Sequence, residues 1–217
     1  DNELIAEYTA NIKRNHSIGL MPSINQLMKE TDTSPKDLDR IAVAKGPGSY
    51  TGVRIGLATA KTLAWTLNIP IVAISSLELL ARNIHNDKAF VSPFFDARRG
   101  LVYTGLYQRD INDMKLVEKD CNILMTDWLT ELQKLSSPVV FLSQDLEQHK
   151  KTIEEYLGEN AVFPEPLLHF PRAGELAYLA TKREADQTHT LTPNYIRMVE
   201  AEAKWLEKQK QDRSNNE

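Results

Sequence analysis

Four glycines, a proline and three hydroxyl side chains are packed into the front of AKGPGSYTGVRIGLATAKTLAW, residues 44–65. Glycine-rich turns that open onto a helix can cradle phosphate, because backbone amides and the positive helix end converge there. The spacing decides which cradle is meant. A Walker A loop needs a lysine and a hydroxyl after its last glycine, whereas Gly52 is followed by Val53 and Arg54. A dinucleotide fingerprint counted from Gly46 and Gly48 needs a third glycine where Thr51 stands, and a nucleophile elbow needs a residue between glycine and serine where Ser49 directly follows Gly48. The candidates left for an anion- or nucleotide-facing loop are Gly46, Gly48, Ser49, Thr51 and Arg54. The structural alternative is a tight strand-to-helix turn capped by Ser49 or Thr51.

Other chemistry is thinner. His16, His85, His149, His169 and His189 are never three or four apart, so no histidine pair lines one helical face as a zinc site requires. Cys121 is the sole cysteine, which excludes an internal disulfide and a multi-cysteine metal site and suits a reducing cytoplasm. DARRG, residues 96–100, places one acid and two arginines between strands. It reads as a turn with a local ion pair, with an RNA phosphate or other anion contact as the alternative. Glu78 reads as a solvated helix residue, and no Ser/His/Asp constellation is coherent.

The elements that must position these residues follow from pattern. ELIAEYTANI, residues 3–12, reads as a strand at a sheet edge, and residues 16–31 place Leu20, Ile24, Leu27 and Met28 on one helical face with Pro22 in the first turn. A capped turn at Ser34 and Pro35 precedes a buried strand over Ile41 to Ala44. The glycine loop then feeds a helix over Val53 to Leu67, a strand at 69–75 and a helix at 76–85 capped by Ser75 or Ser76. That strand–helix order predicts an α/β unit. From Asp87 onward three successive strands lead into a helix over Trp128 to Leu135. A strand at 138–143, a helix ending at Gly158, a short strand at 161–166 and a helix at 172–185 complete it. The predicted division is an N-terminal lobe over 1–86, a C-terminal lobe over 87–200 and a polar, frayed tail over 201–217.

At the start of and within the helix at 53–67, Gly52, Gly56, Ala58, Ala60 and Ala64 are small on several sides, which lets another backbone approach closely. Val53, Leu57, Ala60, Lys61 and Ala64, together with Leu20, Ile24, Leu27 and Met28, are therefore the expected partner interface, two helices of a four-helix contact. The chain has 217 residues, 41% hydrophobic and 26% charged, with a formal net charge of −4. These are values of a globular protein with a substantial core and without an obligatory basic face for nucleic acid, although a local basic patch stays open. No apolar run reaches membrane-span length.

AVAKGPGSYTGVRIGLATAKTLAWTLNIPIVAISSLELLA closely resembles the signature of the bacterial TsaB (YeaZ) family. KRNHSIGLMPSI, FFDARRGLVYTGLY and PNYIRMVEAEAKW resemble its other recognisable stretches in order, so the likeness spans about residues 3 to 205. The resemblance implies the actin, sugar-kinase and Hsp70 fold group with two ribonuclease-H-like lobes. It implies a cytoplasmic, non-catalytic partner of the paralogue TsaD, which transfers a threonylcarbamoyl group to the adenosine beside the anticodon of tRNAs reading codons that begin with A. TsaE as a third component, a homodimer when alone, tRNA contact only through the complex, and no cofactor of its own complete that expectation. Family dimer contacts come from the first two helices of the N-terminal lobe, here about 16–30 and 52–67. The metal-binding histidine pair of TsaD falls on Ser76 and Leu80, and leucine cannot donate to a metal. The family's opening strand and IDTS-like loop have no counterpart here and Asp1 is not a methionine, so residues are expected to precede it, with the first lobe short of one or two strands. The alternatives are a nucleotide-dependent phosphotransferase of the same fold group and a glycoprotease-like peptidase.

Overall fold

The computed structural model describes residues 3–11, 16–86, 88–110 and 113–196. Two sheets organise these residues. The first pairs β1 (Ile41–Ala44) and β2 (Ile71–Ile74) in parallel. Helix α2 (Tyr50–Leu67) crosses over between them, as parallel strands require. Val43, Ile71 and Ala73 meet Leu57, Ala60 and Ala64 of α2 on one face. Val72 and Ile74 meet Leu179 and Ala180 of α6 (Ala173–Lys182) on the other. A strand covered on both faces has no reason to alternate, and all four residues of β2 are buried apolar side chains. The outer edge of β2 is closed by Asp186, whose amide donates to the Ile71 carbonyl and whose carboxylate accepts from the Ala73 amide at 2.8 Å.

The second sheet has the order β5-β4-β3-β6-β7. Strands β3 (Phe90–Asp96), β4 (Leu101–Arg109) and β5 (Met114–Leu124) form an antiparallel meander, and β6 (Val139–Leu142) joins β3 in parallel. The two-residue β7 (Ala161–Val162) closes the far edge. One face carries α4 (Met125–Leu132) and α5 (Leu146–Leu157) over Phe94, Val102, Leu106 and Phe141. Buried polar groups in this core are satisfied: Trp128 Nε1 donates to Ser92 Oγ at 2.9 Å, and the Thr104 hydroxyl donates to the Pro93 carbonyl. The opposite face is covered by α3 (Ser76–Ala81), whose Leu77 and Leu80 are fully buried against Val91 and Leu142. Helix α3 thus leaves the end of the first sheet and lies on the second. Buried Arg82 extends this link, reaching Asp113 at 2.7 Å and Glu175 of α6 at 3.1 Å.

Three expectations change. Residues 3–11 carry no strand. Glu7 instead takes Arg172 and the Gly174 amide at the start of α6, a guanidinium and a helix end that hold its carboxyl below the usual range. Leu4 packs where a Cβ on Gly174 would stand. Helix α1 (His16–Glu30) starts early enough to put Pro22 inside it rather than in the first turn, which removes one helical hydrogen bond. The helix at 76–85 is confined to Ser76–Ala81. The tail at 201–217 and most of PNYIRMVEAEAKW lie outside the described residues.

Candidate functional site

Sequence spacing separates the glycine loop from DARRG by some forty residues, yet both line one cleft of about 920 Å³. Its walls are Pro47 to Gly52 on one side and Asp96 to Arg98 on the other, with Tyr103 and Asp145 between. The loop is a turn first. Gly46 has φ +94°, a region that side chains avoid, and its carbonyl accepts the Ser76 amide. Gly46–Pro47 is a cis peptide. Ser49 caps α2, its hydroxyl accepting from the Gly52 amide and its carbonyl from Val53. Thr51, the other expected cap, sits in the helix and is exposed. Arg54 lies over the Tyr50 ring at 4.8 Å and donates to the Tyr50 hydroxyl.

The acid of DARRG is engaged inward. Asp96 Oδ1 lies 3.0 Å from His149 Nε2, its Oδ2 accepts the Arg98 amide at 3.1 Å, and its own amide donates to Asp145 Oδ2. Arg98 and Arg99 have φ of +67° and +57°, followed by Gly100 at +75°. This is a tight reversal in which two side chains accept a backbone region normally left to glycine. Among the described residues no group of three or more His, Cys, Asp or Glu side chains could hold a metal ion.

Of the expected interface residues, Leu20, Ile24, Leu27 and Met28 are half-buried on α1, as is Val53, which fills the space beside Gly46 and Gly48. Leu57, Ala60 and Ala64 are a correction. They are 3%, 6% and 1% exposed and face β1 and β2, so a partner cannot reach them. Lys61 is likewise turned inward, donating to the Leu191 carbonyl at 2.7 Å. The bare face of α2 carries Ala58, Thr62 and Thr66, with Ile55 and Thr59 half-buried beside them. A Cβ on Gly56 would meet nothing within 4 Å. Ile18 (71%) and Met21 (46%) of α1 are exposed apolar side chains.

One cluster escapes a reading of local sequence. Ser75 caps α3 and donates to Asp120 Oδ2 at 2.5 Å, while the Tyr107 hydroxyl donates to Asp120 Oδ1. Burial beside this carboxylate pushes the Tyr107 phenol far up, so it stays a donor. Glu78 is largely covered rather than solvated, and burial raises its carboxyl despite Arg183. The carboxylate of Asp120 fits only because Gly105 has no side chain: a Cβ there would stand 2.7 Å from Oδ1 and 3.3 Å from the Glu118 carbonyl. A glycine inside the aromatic strand LVYTGLYQR was the available signal. Gly105→Ala is expected to cost about 2 kcal/mol by overpacking, lowering the melting temperature by about 6 °C. An unchanged midpoint in thermal denaturation would mean that Asp120 is free to swing aside.

The family model described as TsaD, tRNA N6-adenosine threonylcarbamoyltransferase, matches residues 3–205. The tRNA threonylcarbamoyladenosine biosynthesis protein TsaB of Bacillus subtilis is 50% identical over 97% of this chain and 92% of its own length. The chain belongs to the TsaB (YeaZ) family. The Escherichia coli protein of the same name is 34% identical over 57% of this chain and 54% of its own. YeaZ from Pseudomonas aeruginosa superposes with a TM-score of 0.69 at 26% identity, covering 86% of each chain. The mixed α/β architecture above is therefore the fold of TsaB and YeaZ, of the type shared by actin, sugar kinases and Hsp70. Among the described residues of this TsaB family member, no helix is long and apolar enough to cross a membrane.

Proposed function

We propose that this chain serves tRNA threonylcarbamoyladenosine biosynthesis as a non-catalytic partner subunit, pairing with the threonylcarbamoyltransferase TsaD. The observation that carries this reading is the bare face of α2, along which Ala58, Thr62 and Thr66 are exposed at successive helical turns. Beside it α1 exposes Ile18 and Met21. Small residues flanked by apolar ones allow a second pair of helices to approach closely and cover them, with interaxial distances at the short end of the usual range. The same face would pair two copies of this chain when TsaD is absent, and TsaE would join the heterodimer. tRNA is engaged through that complex.

The family relationship makes this reading specific, since the curated relatives carry the name of that modification. Two further features support a role without catalysis. Leu80, at the position of the second metal-binding histidine in TsaD, is fully buried in the core beneath α3. In the glycine loop Ser49 serves its own helix, its hydroxyl capping α2 through the Gly52 amide. The rival from another class is a nucleotide-dependent phosphotransferase using the cleft. The isolated chain is expected to hydrolyse ATP no faster than a buffer blank, measured by phosphate release. Turnover that disappears with Arg54→Ala would establish the rival instead.

A further inference from the structure

The rim of the cleft begins one helical turn before the Ala58 face of α2 and has an aromatic and cationic composition of its own. Tyr50 and Tyr195 are 49% and 47% exposed, with ring centroids 5.8 Å apart and planes tilted by 34°. Arg54 lies over Tyr50 at 4.8 Å, so a guanidinium and two phenol rings are assembled side by side at the start of α2. Tyr103 continues this surface, lining the cleft between the loop and the arginine turn and also the small hollow beneath Tyr195. Across the cleft stands the turn carrying Arg98, held by the Asp96 carboxylate on its amide and by the Met125 amide on the Gly100 carbonyl. Two consecutive non-glycine residues in left-handed backbone are a costly way to build a hairpin tip, and such geometry concentrates at functional sites.

We propose that this rim binds a short single-stranded segment of RNA. A base extends the existing stack, on the outer face of Tyr195 or on the guanidinium plane of Arg54, and phosphates are met by Arg98 and by the Tyr50 and Thr51 amides at the start of α2, since the Ser49 cap takes the Gly52 amide. Aromatic platforms joined to cations are how unpaired nucleic acid is held without sequence readout. The carboxylates at the cleft do not oppose this strongly: Asp96 is engaged with His149 and Asp145 with the Asp96 amide. The other exposed groups on this rim, Ser49 and Thr51, are hydroxyls rather than the aliphatic side chains of a protein-binding core. A net charge of −4 makes the contact local and weak, an auxiliary grip on a strand positioned by a larger assembly. The choice of RNA rests on the tRNA role proposed above; the site and its test do not depend on TsaD, because the chain is assayed alone.

The test is fluorescence anisotropy of a labelled, unstructured 12-nucleotide RNA titrated with the full chain at low and moderate salt. Binding is expected, with log affinity falling against log salt at a slope of about −1.4 for two phosphate contacts. Tyr50→Ala should weaken it about fivefold or more, whereas Tyr50→Phe, which keeps the ring, should not. Arg98→Ala should reduce the magnitude of the salt slope by about 0.7. The proposal is overturned by absence of binding at low salt, by equal binding of a 12-base-pair duplex, or by indifference to both Tyr50→Ala and Arg98→Ala. It is also overturned if TsaD displaces the RNA and Tyr50→Ala weakens the pairing with TsaD, which would assign the rim to the protein partner.

Discussion

Ala64→Arg is expected to unfold the protein rather than merely detach it from a partner. Ala64 is 1% exposed, on the face of α2 that packs on Val43, Ile71 and Ala73. An arginine there must either overfill a close-packed layer or force α2 away from the sheet, and its charge would have no acceptor. Burial of an unpaired charge belongs among the few mechanisms that cost about 4 kcal/mol or more, a large part of the stability of a domain. Ala60→Arg, at 6% exposure, should behave alike. Thermal denaturation followed by circular dichroism checks this: a variant that melts like the wild type would mean that α2 does not pack as described. Loss of partner binding in either variant would therefore say nothing about an interface.

Ala58→Arg is the informative counterpart. Ala58 is exposed on the side of the same helix turned away from β1 and β2, in line with exposed Thr62 one turn on. Arginine is nearly as good a helix former as alanine, so stability should change by no more than about 0.5 kcal/mol. In a contact between closely approaching helices, however, the long cation has no room and must lose its water. Affinity for TsaD should fall by about 2 kcal/mol or more, roughly thirtyfold. Isothermal titration of TsaD with wild-type and variant chains measures it. Unchanged affinity at an unchanged melting temperature would move the interface off this face.

The contrast between these two alanines marks how much of the fold is legible in the sequence. Leu20, Ile24, Leu27 and Met28 announce their face because they differ from their neighbours. Helix α2 has Gly52, Gly56, Ala58, Ala60 and Ala64 distributed around it, and an alanine reads the same whether it faces a sheet or solvent. Periodicity could therefore find the helix but not its orientation. The meander of β3, β4 and β5 was readable because its strands are neighbours in sequence joined by short turns. Residues 3–11 read as a strand, but pairing needs a partner edge that local pattern does not contain, and Glu7 binds α6 instead. The Ser75–Asp120–Tyr107 cluster joins positions up to forty-five residues apart and left only Gly105 as a trace. At DARRG the turn was readable and the role of its acid was not, because His149 arrives from α5.

The partner-subunit account is tested most directly by size-exclusion chromatography with light scattering on equimolar mixtures of this chain and TsaD. The predicted result is a single peak at the mass of one copy of each for the wild type, and two separate peaks for the Ala58→Arg variant. Separate elution of the wild-type chain from TsaD, or co-elution of Ala58→Arg indistinguishable from wild type, would contradict it.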